Sequence, residues 1–164
     1  PGRPARRARD ARPGPPLRRR ERVLTDEVAG LVRRHALEPH PEGGWFRRTW
    51  ESATVGPDGR RLGSAILYLL DGGSTSRWHR VDAEELWVHV DGGPLVLRTW
   101  AGADGAVEER VLGPDGDAQG LVPTDHWQQA ATTEGWTLVT CVVVPEFLDA
   151  GFEMAPEGWE PPAG

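Results

Sequence analysis

The chain contains no lysine: all 19 of its basic residues are arginine. That excludes lysine Schiff-base chemistry and a phosphate-cradling P-loop lysine. There is one cysteine, Cys141, so an internal disulfide is impossible. It lies in the apolar run TLVTCVVVP, a setting for a small buried hydrophobe, because a nucleophilic thiol needs an accessible, electropositive one. The lack of a disulfide framework fits a reducing, cytoplasmic compartment. No apolar run approaches the ~20 residues of a membrane helix, and no signal-peptide core is visible. The sequence therefore predicts a soluble protein without a membrane partner.

Glycine and proline, in contrast, are abundant, at 21 and 15 of 164 residues. They cut the hydrophobic pattern into short runs. That favours β-strands joined by turns over a helical bundle. Length suits one domain with a real core.

Charge is unevenly spread. Residues 1–22 hold nine arginines with only Asp10 and Glu21. The rest carries ten arginines against 23 acids, about −13. The Arg/Pro-rich start has little to bury and is expected to be a disordered tail. Such a tail can contact nucleic acid, but the acidic remainder argues against a nucleic-acid groove on the domain. A single domain is expected over residues 23–155, with a fraying tail over 156–164.

Thr25 is a good N-cap for a short helix, with Asp26 and Glu27 in its first turn and Arg33, Arg34 and His35 at its end. The prolines at 39 and 41 are expected to stop it. A turn through His40-Pro41-Glu42-Gly43-Gly44 leads into a strand. There Trp45, Arg47 and Thr49 share one face and Phe46, Arg48 and Trp50 the other. An inward Arg47 beside Trp45 would bind an anion or carboxylate; an Arg stacked on Trp at the surface is the competing reading. SAILYLL, residues 64–70, is apolar on both faces and should be a strand covered on both sides. Residues 136–144 form the longest apolar run and a central strand.

Between these lies Gly73–Gly92, GSTSRWHRVDAEELWVHVDG. It places His79, Asp82, Glu84, Glu85 and His89 within eleven residues. Alternation along a strand points Glu85, Trp87 and His89 the same way, with His79 facing them. Imidazole and carboxylate beside an aromatic wall suit proton transfer, metal binding or polar ligand recognition.

Two segments resemble cupin motifs. Gly73-x5-His79-x-Val81-x3-Glu85-x6-Gly92 is similar to the first, with Val81 in place of a second His. Pro123-x-Asp125-x2-Gln128 is similar to the second, with Asp125 for Gly and Gln128 for His. Together with His-Pro-Glu-Gly-Gly-Trp-Phe-Arg at 40–47, Trp78-His79-Arg80-Val81 and Trp127-Gln128, the pattern resembles the cupin-5 family.

The resemblance implies an all-β cupin fold, a double-stranded β-helix or jelly-roll barrel with one short N-terminal helix. It implies a homodimer with one small-molecule pocket in the barrel mouth. It also implies His79 and Glu85 as catalytic residues. Trp45, Trp78, Trp87 and Trp127 would form an apolar cage; His40, Glu42, Arg47, Thr49, Tyr68, His89 and Gln128 would line the ligand site.

Metal-binding cupins use three His and a Glu. Here only His79 and Glu85 keep register, and the amide of Gln128 is a poor transition-metal ligand. No cofactor is expected, beyond a weak divalent metal at His79, Glu85 and Gln128. His126 is close in sequence but off register.

The expected ligand is sugar-, nucleotide- or carboxylate-like. The reaction expected is metal-independent epimerisation or isomerisation, or lyase chemistry, with His79 as base, oriented by Glu85 or Asp82. Tyr68, the one tyrosine, is either a phenolic acid or a core residue. A non-catalytic binding module and a metal-dependent enzyme are the alternatives.

Overall fold

A computed structural model describes residues 25–102 and 105–162. The expectation for residues 1–22 falls outside them. The helix α1 spans Asp26–His35, with the Thr25 hydroxyl accepting from the Val28 N–H at 3.3 Å. It ends earlier than the prolines would require. Ala36 turns left-handed at φ 51°, and the Leu37 N–H closes on the Val32 carbonyl at 3.0 Å. This is a C-terminal cap that a residue other than glycine can make at some cost. Pro39 sits instead in a two-residue edge strand, where a missing N–H does little harm.

Among the described residues, eleven strands follow α1. They are β1 Glu38–Pro39, β2 Trp45–Glu51, β3 Ser64–Asp71, β4 Thr75–Val81, β5 Glu84–Gly92 and β6 Leu95–Trp100. Then come β7 Glu108–Leu112, β8 Gln119–Val122, β9 Trp127–Thr132, β10 Trp136–Val144 and β11 Phe152–Met154. They form two antiparallel sheets, ordered β1-β2-β3-β10-β5-β8 and β11-β4-β9-β6-β7. The two face each other as a jelly-roll barrel, the all-β cupin architecture that the sequence predicts.

The apolar runs explain their own positions. β10 is paired on both sides, with β3 and β5. Its inward side chains Val139 and Cys141 join Tyr68, Leu70, Trp87, Leu95 and Leu97 in the barrel core. Its outward Leu138 packs with Leu69 and Trp45 beneath Val28 and Leu37. So β3 is apolar on both faces because one face fills the barrel and the other seats α1. At ~25 cal/mol per Å² of apolar surface, each buried Leu contributes roughly 2 kcal/mol.

The outer face of the second sheet has a different cover. Trp78, Trp100 and Trp127 gather around Trp159, with ring centroids 4.7–6.0 Å from it. The Glu160 carboxylate accepts the Trp78 indole N–H at 2.9 Å. Residues 156–162, expected to fray, therefore run as a strap across this tryptophan cluster. The sequence reading overlooked that three exposed-face tryptophans need a cover and that Trp159 can supply it.

Candidate functional site

One end of the barrel holds a cavity of about 210 Å³. That is room for a small organic molecule. Phe46, Trp87, Phe147 and Phe152 give it apolar walls; His40, Glu42, Tyr68, His79 and Glu85 face it as polar groups. Of these five, four are at most 7% exposed. Only His40, at 15%, is a little more open.

His79 is anchored on its Nδ1 edge. Nδ1 lies 2.8 Å from the Arg77 carbonyl oxygen and 3.3 Å from Glu42 Oε2. A carbonyl can only accept, so Nδ1 carries the hydrogen. Burial lowers the imidazole pKa below its ordinary value, against the opposing pull of the Glu85 carboxylate. The ring is therefore neutral at pH 7, with Nε2 bare.

His40 has the other tautomer. Its Nδ1 accepts the Glu42 backbone N–H at 3.2 Å, so the ring hydrogen sits on Nε2. Burial also lowers its pKa, against the pull of Glu42. The ring is held by Phe46 edge-on at 4.4 Å and by Tyr68 at 4.9 Å.

Glu42 stands between the two imidazoles. Its Oε2 accepts the Ser76 hydroxyl at 2.7 Å and lies 3.3 Å and 3.9 Å from the Nδ1 atoms of His79 and His40. Glu85 is held from behind. The Trp87 indole donates to the Gln128 amide oxygen at 2.8 Å, and the Gln128 amide nitrogen donates to Glu85 Oε2 at 2.6 Å. An indole N–H can only donate, which fixes the amide orientation. Burial raises the pKa of both carboxyl groups above the ordinary glutamate value, with His40 opposing most at Glu42 and His79 at Glu85.

The His-Pro-Glu-Gly-Gly turn is rigid for steric reasons. Gly43 has φ 124°, and a Cβ there would stand 2.3 Å from the Thr75 carbonyl oxygen. Its own carbonyl accepts the Tyr68 hydroxyl at 2.7 Å. Gly43→Ala should destabilise the fold by about 2–4 kcal/mol, from backbone strain plus the clash. It should also displace His40 and Glu42. Chemical denaturation measures the first; a shift of the His40 ring resonances measures the second.

Seven residues expected at the ligand do not line this cavity. Arg47 and Thr49 are exposed on the outer face of β2, which turns Phe46 and Arg48 inward. Arg48 sits at the mouth, paired with Glu51. Trp45 packs beneath α1, and Trp78 and Trp127 lie under the C-terminal strap. The expected cage of four tryptophans reduces to Trp87.

His89 is remote from the cavity, its Nε2 3.2 Å from the Gly93 carbonyl. Gln128 is fully buried behind Glu85. Asp82 is held by Arg60 at 2.8 Å and does not orient His79; Glu42 takes that place. His126 also lies elsewhere, its Nδ1 3.2 Å from the Thr124 carbonyl.

The sequence reading missed Phe46, Arg48, Cys141, Phe147 and Phe152. Alternation along β2 offered the first two as readily as Trp45 and Arg47. Cys141 sits beside Glu85, and burial pushes its thiol well above the ordinary range. It is a core group, as its apolar run suggests.

A three-His-plus-Glu metal set does not fit these residues. Val81 stands apolar in the second His position, and both polar atoms of the Gln128 side chain are already bonded. Among the described residues, no group of three or more His, Cys, Asp or Glu has metal-holding geometry. Asp125, in the motif's glycine position, keeps a left-handed φ of 61°. The turn survives although the metal set does not.

Comparison with known proteins agrees with the fold. Among solved structures, a Shewanella oneidensis protein matches at 33% identity over 77% of this chain and 82% of its own, with a TM-score of 0.72. A hypothetical protein from Leishmania major matches at 26% identity over 76% and 85%, with a TM-score of 0.69. The capsular polysaccharide assembling protein CapF of Staphylococcus aureus shares the fold at 16% identity, over 72% of this chain and 31% of its own, with a TM-score of 0.57. No curated protein matches the chain. The family model described as cupin superfamily (DUF985) matches residues 29–155, so the chain belongs to the cupin-5 family.

Proposed function

We propose that this cupin binds a small, uncharged, sugar-like molecule in the barrel cavity and moves a proton on it without a metal. His79 is the base, and the reaction is an isomerisation or epimerisation next to a carbonyl. The observation that carries this reading is the anchoring of His79. Its Nδ1–H is fixed on the Arg77 carbonyl, its Nε2 is bare, and Glu42 and Glu85 are placed to stabilise the imidazolium that forms.

The cavity also bears on the ligand class. About 210 Å³ is small for a nucleotide. The two buried glutamates oppose an anionic group beside them, Arg47 points away, and Arg48 at the mouth is already paired with Glu51. A neutral polyhydroxylated carbonyl compound meets both conditions.

The test is solvent deuterium exchange at the α-carbon of dihydroxyacetone, followed by proton NMR in D₂O with tag-free protein. Exchange above the buffer rate, unchanged by a chelator and lost in His79→Ala, is the expected result. About one transition metal per chain, lost in that variant along with exchange, would overturn the metal-free reading. Ligand-induced thermal stabilisation without exchange would make the protein a binding module instead.

A further inference from the structure

We infer that His40 is the electrophile of the proposed reaction, a neutral imidazole whose Nε2–H hydrogen-bonds the substrate's carbonyl oxygen while His79 removes the neighbouring proton. The inference rests on His79 being the base. It names a second residue that touches the reacting atoms, and with it the substrate class: a carbonyl compound bearing an acidic α C–H.

The two rings are set in opposite tautomers by different partners. The Arg77 carbonyl forces the hydrogen onto Nδ1 of His79. The Glu42 backbone N–H forces it off Nδ1 of His40. Both Nδ1 edges converge on Glu42 Oε2. Neither Nε2 hydrogen-bonds to a described residue, yet no buried side-chain nitrogen or oxygen among them lacks a partner. Both Nε2 atoms therefore open on the cavity that the two rings line. One is a bare acceptor and the other a donor. A carbonyl compound with an α-hydrogen needs that pair of opposite groups.

Tyr68 is the competing donor, and it is already committed. Its hydroxyl hydrogen goes to the Gly43 carbonyl at 2.7 Å. The neutral state of His40 suits the role, since the developing oxyanion needs a hydrogen bond rather than a full proton. A neutral histidine polarising a carbonyl is known chemistry.

The step balances without a co-reactant. The α C–H bond breaks and its proton goes to Nε2 of His79. The electron pair moves onto the carbonyl oxygen, which accepts the His40 hydrogen bond. Return of a proton from His79 Nε2 to the same carbon re-forms the carbonyl and restores both neutral rings, which completes the exchange that the test reads. His40 loses no proton, so no imidazolate forms.

The test uses full-length protein with two substitutions at position 40. His40→Gln keeps an N–H donor near the same place; His40→Phe keeps the ring and removes the donor. With dihydroxyacetone, His40→Phe should lower the exchange rate 10²- to 10³-fold, the loss expected for one oxyanion donor. His40→Gln should recover most of it. Ring ¹⁵N spectra of the wild-type protein at pH 7.5 should show the hydrogen on Nε2 of His40 and on Nδ1 of His79.

Exchange that is unchanged in His40→Phe but lost in His79→Ala would overturn this inference and leave the base reading standing. A hydrogen on Nδ1 of His40 would also overturn it. Equal loss in both position-40 variants would mark a structural role and overturn it too. No exchange by the wild-type protein would overturn the base reading, and this inference with it.

Discussion

Gln128→Leu will destabilise the protein by about 3–5 kcal/mol, with little change in the denaturant slope. The side chain has no exposed surface and mediates between two other buried groups. It accepts the Trp87 indole N–H and donates to Glu85. Leucine is close in volume, so the core stays filled. What is lost is pairing: the Trp87 indole N–H is left buried without a partner, and the Glu85 carboxyl loses its amide donor. Each such loss costs about 1–3 kcal/mol, and more when the group is charged. Against a total of roughly 5–15 kcal/mol, that is a large fraction.

Gln128→Glu offers a control of opposite character. It keeps an acceptor for Trp87 but sets a second acid against Glu85. The two would share a proton, so their folded pKa values lie above the unfolded one. The variant should then gain stability as pH falls toward 4.5 and lose it at neutral pH. Urea denaturation at pH 5 and 7.5 reads both effects. A Leu variant within 1 kcal/mol of wild type would show that this chain of bonds is not what holds Glu85.

The second large effect is on rate. Deuterium exchange by the wild-type protein should be flat at neutral pH and fall about tenfold per unit only once pH has dropped below 6.5. The reason is burial, which lowers the His79 pKa, so the base stays unprotonated to lower pH than a free imidazole would. No alkaline limb should come from Tyr68 or Cys141, since burial pushes both well above their ordinary values. His79→Gln should abolish exchange, a loss of at least ~10³-fold.

Linkage adds a stability counterpart. A histidine whose folded pKa is lowered contributes nothing at high pH and a penalty on the acid side. That penalty appears as pH falls through the unfolded value near 6.5 and is complete below the folded one. His79→Gln lacks the penalty. Its stability relative to wild type should therefore rise between pH 7.5 and pH 5. A difference independent of pH would mean that His79 is not buried neutral.

Much of this site is legible in the sequence because strand alternation is a local rule. One glycine-bounded stretch, Gly73–Gly92, read with period two, puts Glu85 and Trp87 on one face with His79 facing them. The polar turn through His40 and Glu42 lines the cavity. Which face of β2 turns inward was not legible. Trp45-Arg47 and Phe46-Arg48 each offer an aromatic residue and an arginine, so composition cannot choose. The choice came from α1 and the turn after it, whose Val28 and Leu37 cover Trp45 and leave Phe46 to the barrel. The tryptophan cage failed for a related reason. Trp78 and Trp127 fall on the outer face, and Trp159, 81 and 32 positions away, supplies their cover.

The sequence alone determined the strand-rich architecture, the turn positions and the family. Each follows from short-range periodicity, glycine and proline placement, or fixed spacing. Tertiary structure alone decided that Glu42, rather than Asp82, meets His79, that Gln128 is bonded on both sides, and that His40 and His79 hold opposite tautomers. Those depend on which carbonyl or N–H a ring nitrogen meets when Glu42, Ser76, Arg77 and Gln128 are brought together. Hydrogen-bond direction between residues up to 43 positions apart leaves no trace in local pattern.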